Sequence, residues 1–504
     1  MRQKLHKLSK NFAIYGSGDV AIQLVNFLLL RVYVKYLTET DYGVLALLGS
    51  VEAIAKLFFR WGVDGAYMRL WYDCEDTAAR QRLSSTLFFF LLALNGILLI
   101  LSLALAPLAS GWLIGSASYT LALQLVLLNT FAIGFTFIPF HVLRIENKSR
   151  EFSALTLARS ASTLILRIIL IVGLGYGLMG VVIADIVVTT VMLVVMFRWF
   201  AKLIRPVFSR QILRDALSFG LPRVPHGFAL QLMSVGDRLV MKFLGTPLDA
   251  IGMYSIGVSF GLIPKIALGA FEYAWAPFYY AAAREAGADR IFSRVTTYGV
   301  AALALMTAGL SAIARDLLHV MTHGQYDAAA GVVVWTAVGV FFYGIYLLTS
   351  IGLNITKNTR YYPVSTAIGA GVNLGLNLWL IPRYGIIGAA WATGAAYGVQ
   401  AAIAFIFSQR YYRVTYEHGR LIRVMASALV AYLLAVALPS MAPLIGVLAR
   451  GSTVAVTMVA LLAMTRFFKG EELRALNAIR LRAVGVKPAA PPHESIEKAG
   501  EIIE

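Results

Sequence analysis

Two stretches decide how this chain is built. Phe12 to Leu45 reads FAIYGSGDVAIQLVNFLLLRVYVKYLTETDYGVL, and Phe219 to Tyr254 reads FGLPRVPHGFALQLMSVGDRLVMKFLGTPLDAIGMY. Laid over each other, Phe12 meets Phe219, Arg31 meets Arg238, Lys35 meets Lys242, and after a short slip Gly43 meets Gly252. The echo continues downstream. Asn147-Lys148-Ser149-Arg150 resembles Lys357-Asn358-Thr359-Arg360, and Gly175-Tyr176-Gly177-Leu178-Met179-Gly180 resembles Arg383-Tyr384-Gly385-Ile386-Ile387-Gly388. Each copy holds apolar runs of the roughly 20 residues that cross a bilayer.

Working outward, the runs fall at 12–37, 41–66, 84–108, 119–142, 152–174, 178–200, 215–243, 248–272, 292–313, 329–355, 362–381, 386–407, 421–439 and 446–466. The reading is an all-α polytopic membrane protein with about 14 transmembrane helices: two parallel six-helix repeats plus two C-terminal helices. The expected divisions are 1–208, 209–419, the last two spans in 420–469, and a cytoplasmic tail, 470–504. Composition agrees, with 59% hydrophobic residues and only 14% charged, against about 25% charged in soluble domains. The basic N-terminus runs into a full-length span without a small-residue cleavage site, so that span is expected to stay. The lone Cys74 excludes a disulfide framework.

The net charge of +18 does not point to nucleic acid, because the cations are dispersed in short loops. Alternate loops carry Arg69, Arg80 and Arg82; Arg144, Lys148 and Arg150; Arg198 to Arg214; Arg284, Arg290 and Arg294; Lys357 and Arg360; and Arg410 to Arg423. The opposite loops hold Arg315 and Arg383, with Arg450 undecided. This asymmetry places both termini in the cytoplasm. The longest opposite loop, 314–328, is too short for a catalytic domain.

The pattern Ser218-Phe219-Gly220-Leu221-Pro222, Asp237-Arg238 and Gly252-Met253-Tyr254-Ser255, with Tyr36-Leu37-Thr38-Glu39-Thr40-Asp41-Tyr42-Gly43, resembles the polysaccharide flippases. These are the O-antigen and exopolysaccharide repeat-unit translocases of the multidrug/oligosaccharidyl-lipid/polysaccharide (MOP) exporter superfamily. The resemblance implies a bacterial inner-membrane carrier that is not an enzyme. It would move an undecaprenyl-pyrophosphate-linked oligosaccharide from the cytoplasmic to the periplasmic leaflet by alternating access. It implies the lipid-linked oligosaccharide, membrane lipid and polysaccharide polymerase or assembly proteins as partners, and no cofactor. Whether a proton or sodium gradient drives transport stays open. Three alternatives stand beside it. One is a multidrug exporter of the same superfamily, which predicts twelve spans and an acidic cavity. Another is a membrane-embedded polymerase or glycosyltransferase, which usually has a long periplasmic loop. The last is a structural subunit of an export complex.

Charges inside a bilayer are costly unless paired or facing water, so each is a functional candidate. For an anionic pyrophosphate the cationic candidates are Arg223, Arg60, Lys56, Arg159, Arg167, His226 and Lys265. Arg223 leads, because it lies where Pro222 and Pro225 interrupt a span, matching Gly16-Ser17-Gly18 in the first copy, and because its fork suits phosphate. Glu52, Lys56, Arg60 and Asp64 recur every four residues and form either a self-neutralised stripe or a phosphate contact. Thr163, Asn373 and Asn377 are candidates for glycan hydroxyls or, equally, for helix–helix glue. Asp19, Glu52, Asp185 and Glu272 are candidates for ion coupling. Arg31 and Arg238 form a gate, or snorkel to the headgroups. His319 and His323 lack a third ligand, so no metal site is expected.

Overall fold

The computed structural model describes residues 29–470, except 32, 147 and 286. Asp19, the Gly16-Ser17-Gly18 break and the tail beyond 470 lie outside the described residues. Every regular element described is helical. After a helix ending at 36 come α1 (Glu39–Arg60), α2 (Val63–Tyr72), α3 (Thr77–Leu113), α4 (Thr120–Gly134), α5 (Phe137–Ile145), α6 (Ser149–Ile168) and α7 (Gly177–Leu203). The second set is α8 (Arg210–Gly220), α9 (Val224–Phe243), α10 (Leu248–Gly261), α11 (Ile263–Ala282), α12 (Ala288–Thr322), α13 (Ala330–Thr349), α14 (Ile351–Ile355) and α15 (Tyr361–Tyr411). Two more, α16 (His418–Val436) and α17 (Pro443–Met464), complete the bundle.

Among the described residues ten helical segments are long and apolar enough to cross a membrane, or eleven with α10 and α11 joined across their 45° bend. One of the ten is α15, whose 51 residues would reach about 77 Å if straight. The hydrocarbon layer is only about 30 Å thick, and α15 folds back on itself at Gly385 (φ 55°, ψ −134°). Hydrogen bonds between Tyr361 and Tyr411 (2.6 Å), Gln400 and Thr366 (3.1 Å), and Asn373 and Thr393 (3.3 Å) join its two arms. Its counterpart in the repeat, Gly177, also has positive φ, 51°. Only glycine takes that conformation without strain.

Helix starts follow from local chemistry. Thr38 and Asp41 form a capping box on α1, Asp76 caps α3 and Ser209 caps α8. The span α1–α2 breaks at Trp61 and Gly62, both with positive φ. Backbone groups freed inside a bilayer need partners. Buried Asn95 supplies them, donating to the Phe59 carbonyl at 2.6 Å and accepting from the Trp61 indole at 3.1 Å. The second copy breaks at a 3₁₀ turn, Leu221–Arg223.

One expectation is corrected. The 314–328 loop is mostly helix, since α12 runs to Thr322. Its continuation is allowed because buried Asp316 is neutralised by Arg450 of α17. At the other end Glu417 accepts from Thr297, Arg420 and Lys469. These contacts tie α16 and α17 to α12.

The two copies meet most closely where α1 crosses α10. A Cβ on Gly43 would sit 1.9 Å from the Leu248 carbonyl oxygen, and one on Gly252 would sit 2.0 Å from that of Glu39. The obstacle in each case is backbone, which cannot rotate away. Gly43→Ala therefore forces the helices apart and lowers the thermal unfolding midpoint in detergent, at a cost of about 1–3 kcal/mol. Gly49→Ala, in the same helix but meeting nothing within 4 Å, keeps or slightly raises the midpoint, since alanine favours the helix. Equal midpoints for the two variants would show that this crossing does not set the packing.

Candidate functional site

A second close approach of the copies lies further along. Gly62 and Gly220 touch backbone to backbone, with a Cβ on Gly62 falling 2.4 Å from the Gly220 carbonyl oxygen. Roughly 28 Å of helix separates this contact from Gly43 at 1.5 Å per residue. Between the two seams lies a cavity of about 550 Å³. The first copy lines it with Ser50 and Glu52 from α1, Arg167 from α6 and Asp185 from α7. The second copy contributes Val235 and Arg238 from α9, and Ser255 and Ser259 from α10. Tyr33 and Tyr42 also line it.

The charges here are paired. Arg167 grips Asp185 through Nε and Nη2, at 2.7 to 3.1 Å. Arg167 stands just before a π-helical turn, Ile169–Gly173, a local widening common at functional positions. Arg238 donates from Nη1 to Asp237 (3.0 Å) and to the Ser234 carbonyl (3.1 Å), and from Nε to Ser255 (3.3 Å). Asp237, 2% exposed, also accepts from the Tyr254 hydroxyl. Arg238 thus lies on the cavity wall; Arg31 is exposed and does not line the cavity. Glu52 is matched by Lys56 at 2.6 Å.

A second polar cavity, of about 510 Å³, lies wholly within the first copy. Arg60 and Asp64 border it from the α1–α2 break, His141 and Arg144 from α5, and Thr156, Arg159 and Ser160 from α6. Arg60 reaches Asp64 at 3.5 Å. Thus the four-residue stripe on the second expected span forms both of its internal pairs, yet each end faces a different cavity.

The remaining candidates are dispersed. Arg223 is exposed and lines neither cavity; its guanidinium stacks 3.9 Å from the Phe219 ring centre, beside the Gly62–Gly220 seam. His226 is half-buried in the first turn of α9. Lys265 sits 5.5 Å over the Tyr343 ring and borders a small pocket with Asp237, Tyr254 and Thr393. Asn373 and Asn377 are fully buried and bond to each other at 3.0 Å, which is packing rather than cavity lining. Thr163 lies on α6 between Arg159 and Arg167, and Glu272 is exposed on α11. His319 pairs with Asp327 at 2.8 Å. The sequence reading missed Tyr33 and the serines Ser255 and Ser259, although the four-residue step of the serines marks one polar helical face.

The sequence pattern of a family described as polysaccharide biosynthesis protein matches residues 32–331. Among solved structures, the lipid II flippase MurJ in an inward closed conformation superimposes with a TM-score of 0.70. It is 17% identical, over 90% of this chain and 99% of that one. An inward-facing multidrug resistance MATE family transporter of the MOP superfamily gives 0.60 at 15% identity, over 82% of this chain and 99% of its own. The fold is therefore the one these two structures share. An uncharacterised membrane protein of Methanocaldococcus jannaschii is 28% identical over 253 residues, 47% of this chain and 45% of that protein. That match spans less than half the length of the relative.

The Arg167–Asp185 pair should behave as a unit. Asp185→Asn leaves the guanidinium without its counter-charge and lowers the unfolding midpoint, by about 1–3 kcal/mol for a partly buried group losing its partner. The double variant Arg167→Gln/Asp185→Asn removes both charges and recovers most of that loss. A double variant no more stable than Asp185→Asn would show that the two charges do not depend on each other.

Proposed function

This chain belongs to the polysaccharide biosynthesis protein family, and from that membership we propose that it is a flippase for undecaprenyl-pyrophosphate-linked oligosaccharide repeat units in O-antigen or exopolysaccharide biosynthesis. On this reading the arginine-rich loops face the cytoplasm of a bacterial inner membrane. The substrate passes from the cytoplasmic to the periplasmic leaflet by alternating access, without covalent chemistry.

The observation that carries the reading is the cavity between the two copies, walled by both and lined by charged and hydroxyl side chains. A glycan needs hydrogen-bond partners in place of water. Serine hydroxyls, Glu52 and the paired forks of Arg167 and Arg238 supply donors and acceptors together. The polyprenyl tail needs no such shelter and stays in the lipid. Seams made of close backbone contacts can part without breaking ion pairs, which suits a gate. The MurJ-like fold supports the same reading, and the short loops leave little room for a polymerase's catalytic domain.

The test is a leaflet assay in the host after deletion of the gene, with labelled lipid-linked repeat units. Complete units held in the cytoplasmic leaflet are expected. Single units collecting in the periplasmic leaflet would overturn the flippase reading in favour of a polymerase. Restoring the gene with Arg238→Gln should lower surface polysaccharide roughly tenfold, the equivalent of about 1.4 kcal/mol, with the protein still present in the membrane. Full export by that variant would remove Arg238 from the transport path.

A further inference from the structure

The central cavity is electrically balanced, and the second one is not. Arg167, Arg238 and Lys56 each have a carboxylate at 2.6 to 3.0 Å. In the cavity of the first copy the single carboxylate, Asp64, is shared between Arg60 at 3.5 Å and its neighbour's backbone, the Gly65 N–H, at 2.9 Å. Among the described residues neither Arg144 nor Arg159 has a carboxylate within ion-pair distance. The Nε of Arg60 and the Nδ1 of His141 are buried without a hydrogen-bond partner.

Position makes this excess meaningful. Arg144 ends α5 beside the arginine-rich loops. Arg159 lies ten residues into α6, about 15 Å along the helix and inside the apolar span Arg150–Gly173. A cation at that depth needs a counter-charge or water. Two interrupted helices flank the cavity, one broken at Trp61–Gly62 and the other at Phe135–Thr136. Thr156 and Ser160 line the cavity with Arg159, as do aromatic Phe137 and Phe140; the Thr156 hydroxyl donates to the Phe152 carbonyl at 2.9 Å. Several guanidinium forks, an imidazole and the Ser160 hydroxyl around one cavity match a tetrahedral oxyanion carrying more than one charge.

We propose that this cavity is a docking site for the phosphate or diphosphate group of an amphiphile, received by Arg144 and held by Arg60 and Arg159. The proposal deepens the flippase reading and rests on it for the physiological ligand, the diphosphate of the lipid-linked glycan. Arg159, Thr163 and Arg167 lie on one face of α6, about 12 Å from first to last at the helical rise. A diphosphate docked at Arg159 therefore has its glycan within reach of the central cavity.

The experiment measures equilibrium binding to the purified full-length chain in phosphatidylcholine nanodiscs. The probes are radiolabelled farnesyl diphosphate and inorganic pyrophosphate, with phosphatidylglycerol as competing lipid. Arg159→Gln and Arg144→Gln are expected to raise the Kd for farnesyl diphosphate at least about tenfold. Arg238→Gln should change it less than about threefold. Arg159→Lys keeps the charge without the fork, and intermediate binding by it shows that the weakening is not misfolding. Tight binding of farnesyl diphosphate alone identifies a lipid-borne phosphate. Equal binding of pyrophosphate identifies free phosphate chemistry, and displacement by phosphatidylglycerol identifies an ordinary lipid headgroup; all three support the anion site. No binding of any probe, or binding lost in Arg238→Gln and kept in Arg159→Gln, overturns it. Because binding is read on purified protein, its failure leaves the leaflet assay unaffected, and a negative leaflet assay leaves the anion site standing.

Discussion

Hydrocarbon offers no partner to a charge, and much of this structure is arranged around that constraint. Asp185 neutralises Arg167, Asp237 neutralises Arg238, Lys56 neutralises Glu52 and Arg450 neutralises Asp316. Only the first of these pairs joins two neighbouring helices of one copy, and the last fixes α17 to α12. The same rule governs the backbone. A span can break at Trp61–Gly62 because Asn95 meets the freed carbonyl of Phe59. Where charge is left over, beside Arg159, the molecule has a cavity and not a packed core.

The second determinant is the absence of side chains at the two seams. Gly43 and Gly252 are equivalent positions of the repeat, and they meet each other's helix across the junction of the copies. Helices that approach this closely gain dispersion contacts along their length, the main attraction available inside lipid. The Gly62–Gly220 contact is different in kind, because it joins two broken spans at their interruptions. One seam is a long helix crossing, and at the other α8 lays Leu213, Ala216 and Leu217 against Val63, Ala66 and Tyr67 of α2.

Much of this was legible in the sequence, and the exceptions share a cause. The repeat offsets brought Gly43 to Gly252 and Gly177 to Gly385 before any coordinates, because glycines at turns and crossings are set by local backbone. The pairs Glu52–Lys56 and Arg60–Asp64 were readable because helix geometry alone brings i and i+4 together. Arg167, Asp185 and Arg238 stood out as intramembrane charges, but as a ligand, a coupling site and a gate. Their convergence on one cavity depends on how α6, α7 and α9 pack, which linear order does not encode. Arg223 marked a true helix interruption, yet its side chain turns back onto Phe219. His141 and Arg144 read as span-end residues because the break at Phe135–Thr136 falls in an apolar run without a proline at the break itself. Asn373 and Asn377 were named for glycan hydroxyls or for helix–helix contact, and in the fold they are buried and bonded to each other.

The two cavities differ in ownership, and this bears on how a carrier of this shape would work. The central cavity takes its walls from α1, α6 and α7 on one side and from α9 and α10 on the other. Any rotation of one copy against the other must change its shape. The basic cavity is built from residues 60–160 alone, so the same rotation leaves its arginines in place relative to one another. Under alternating access, a phosphate held there would travel as part of one rigid body while the glycan's surroundings were rebuilt around it. The strong electrostatic contacts would then persist through the transition, and the many weak hydrogen bonds to sugar would be the ones exchanged. That division would keep the barrier low, since no intramembrane charge would have to be stripped of its partner as the copies move.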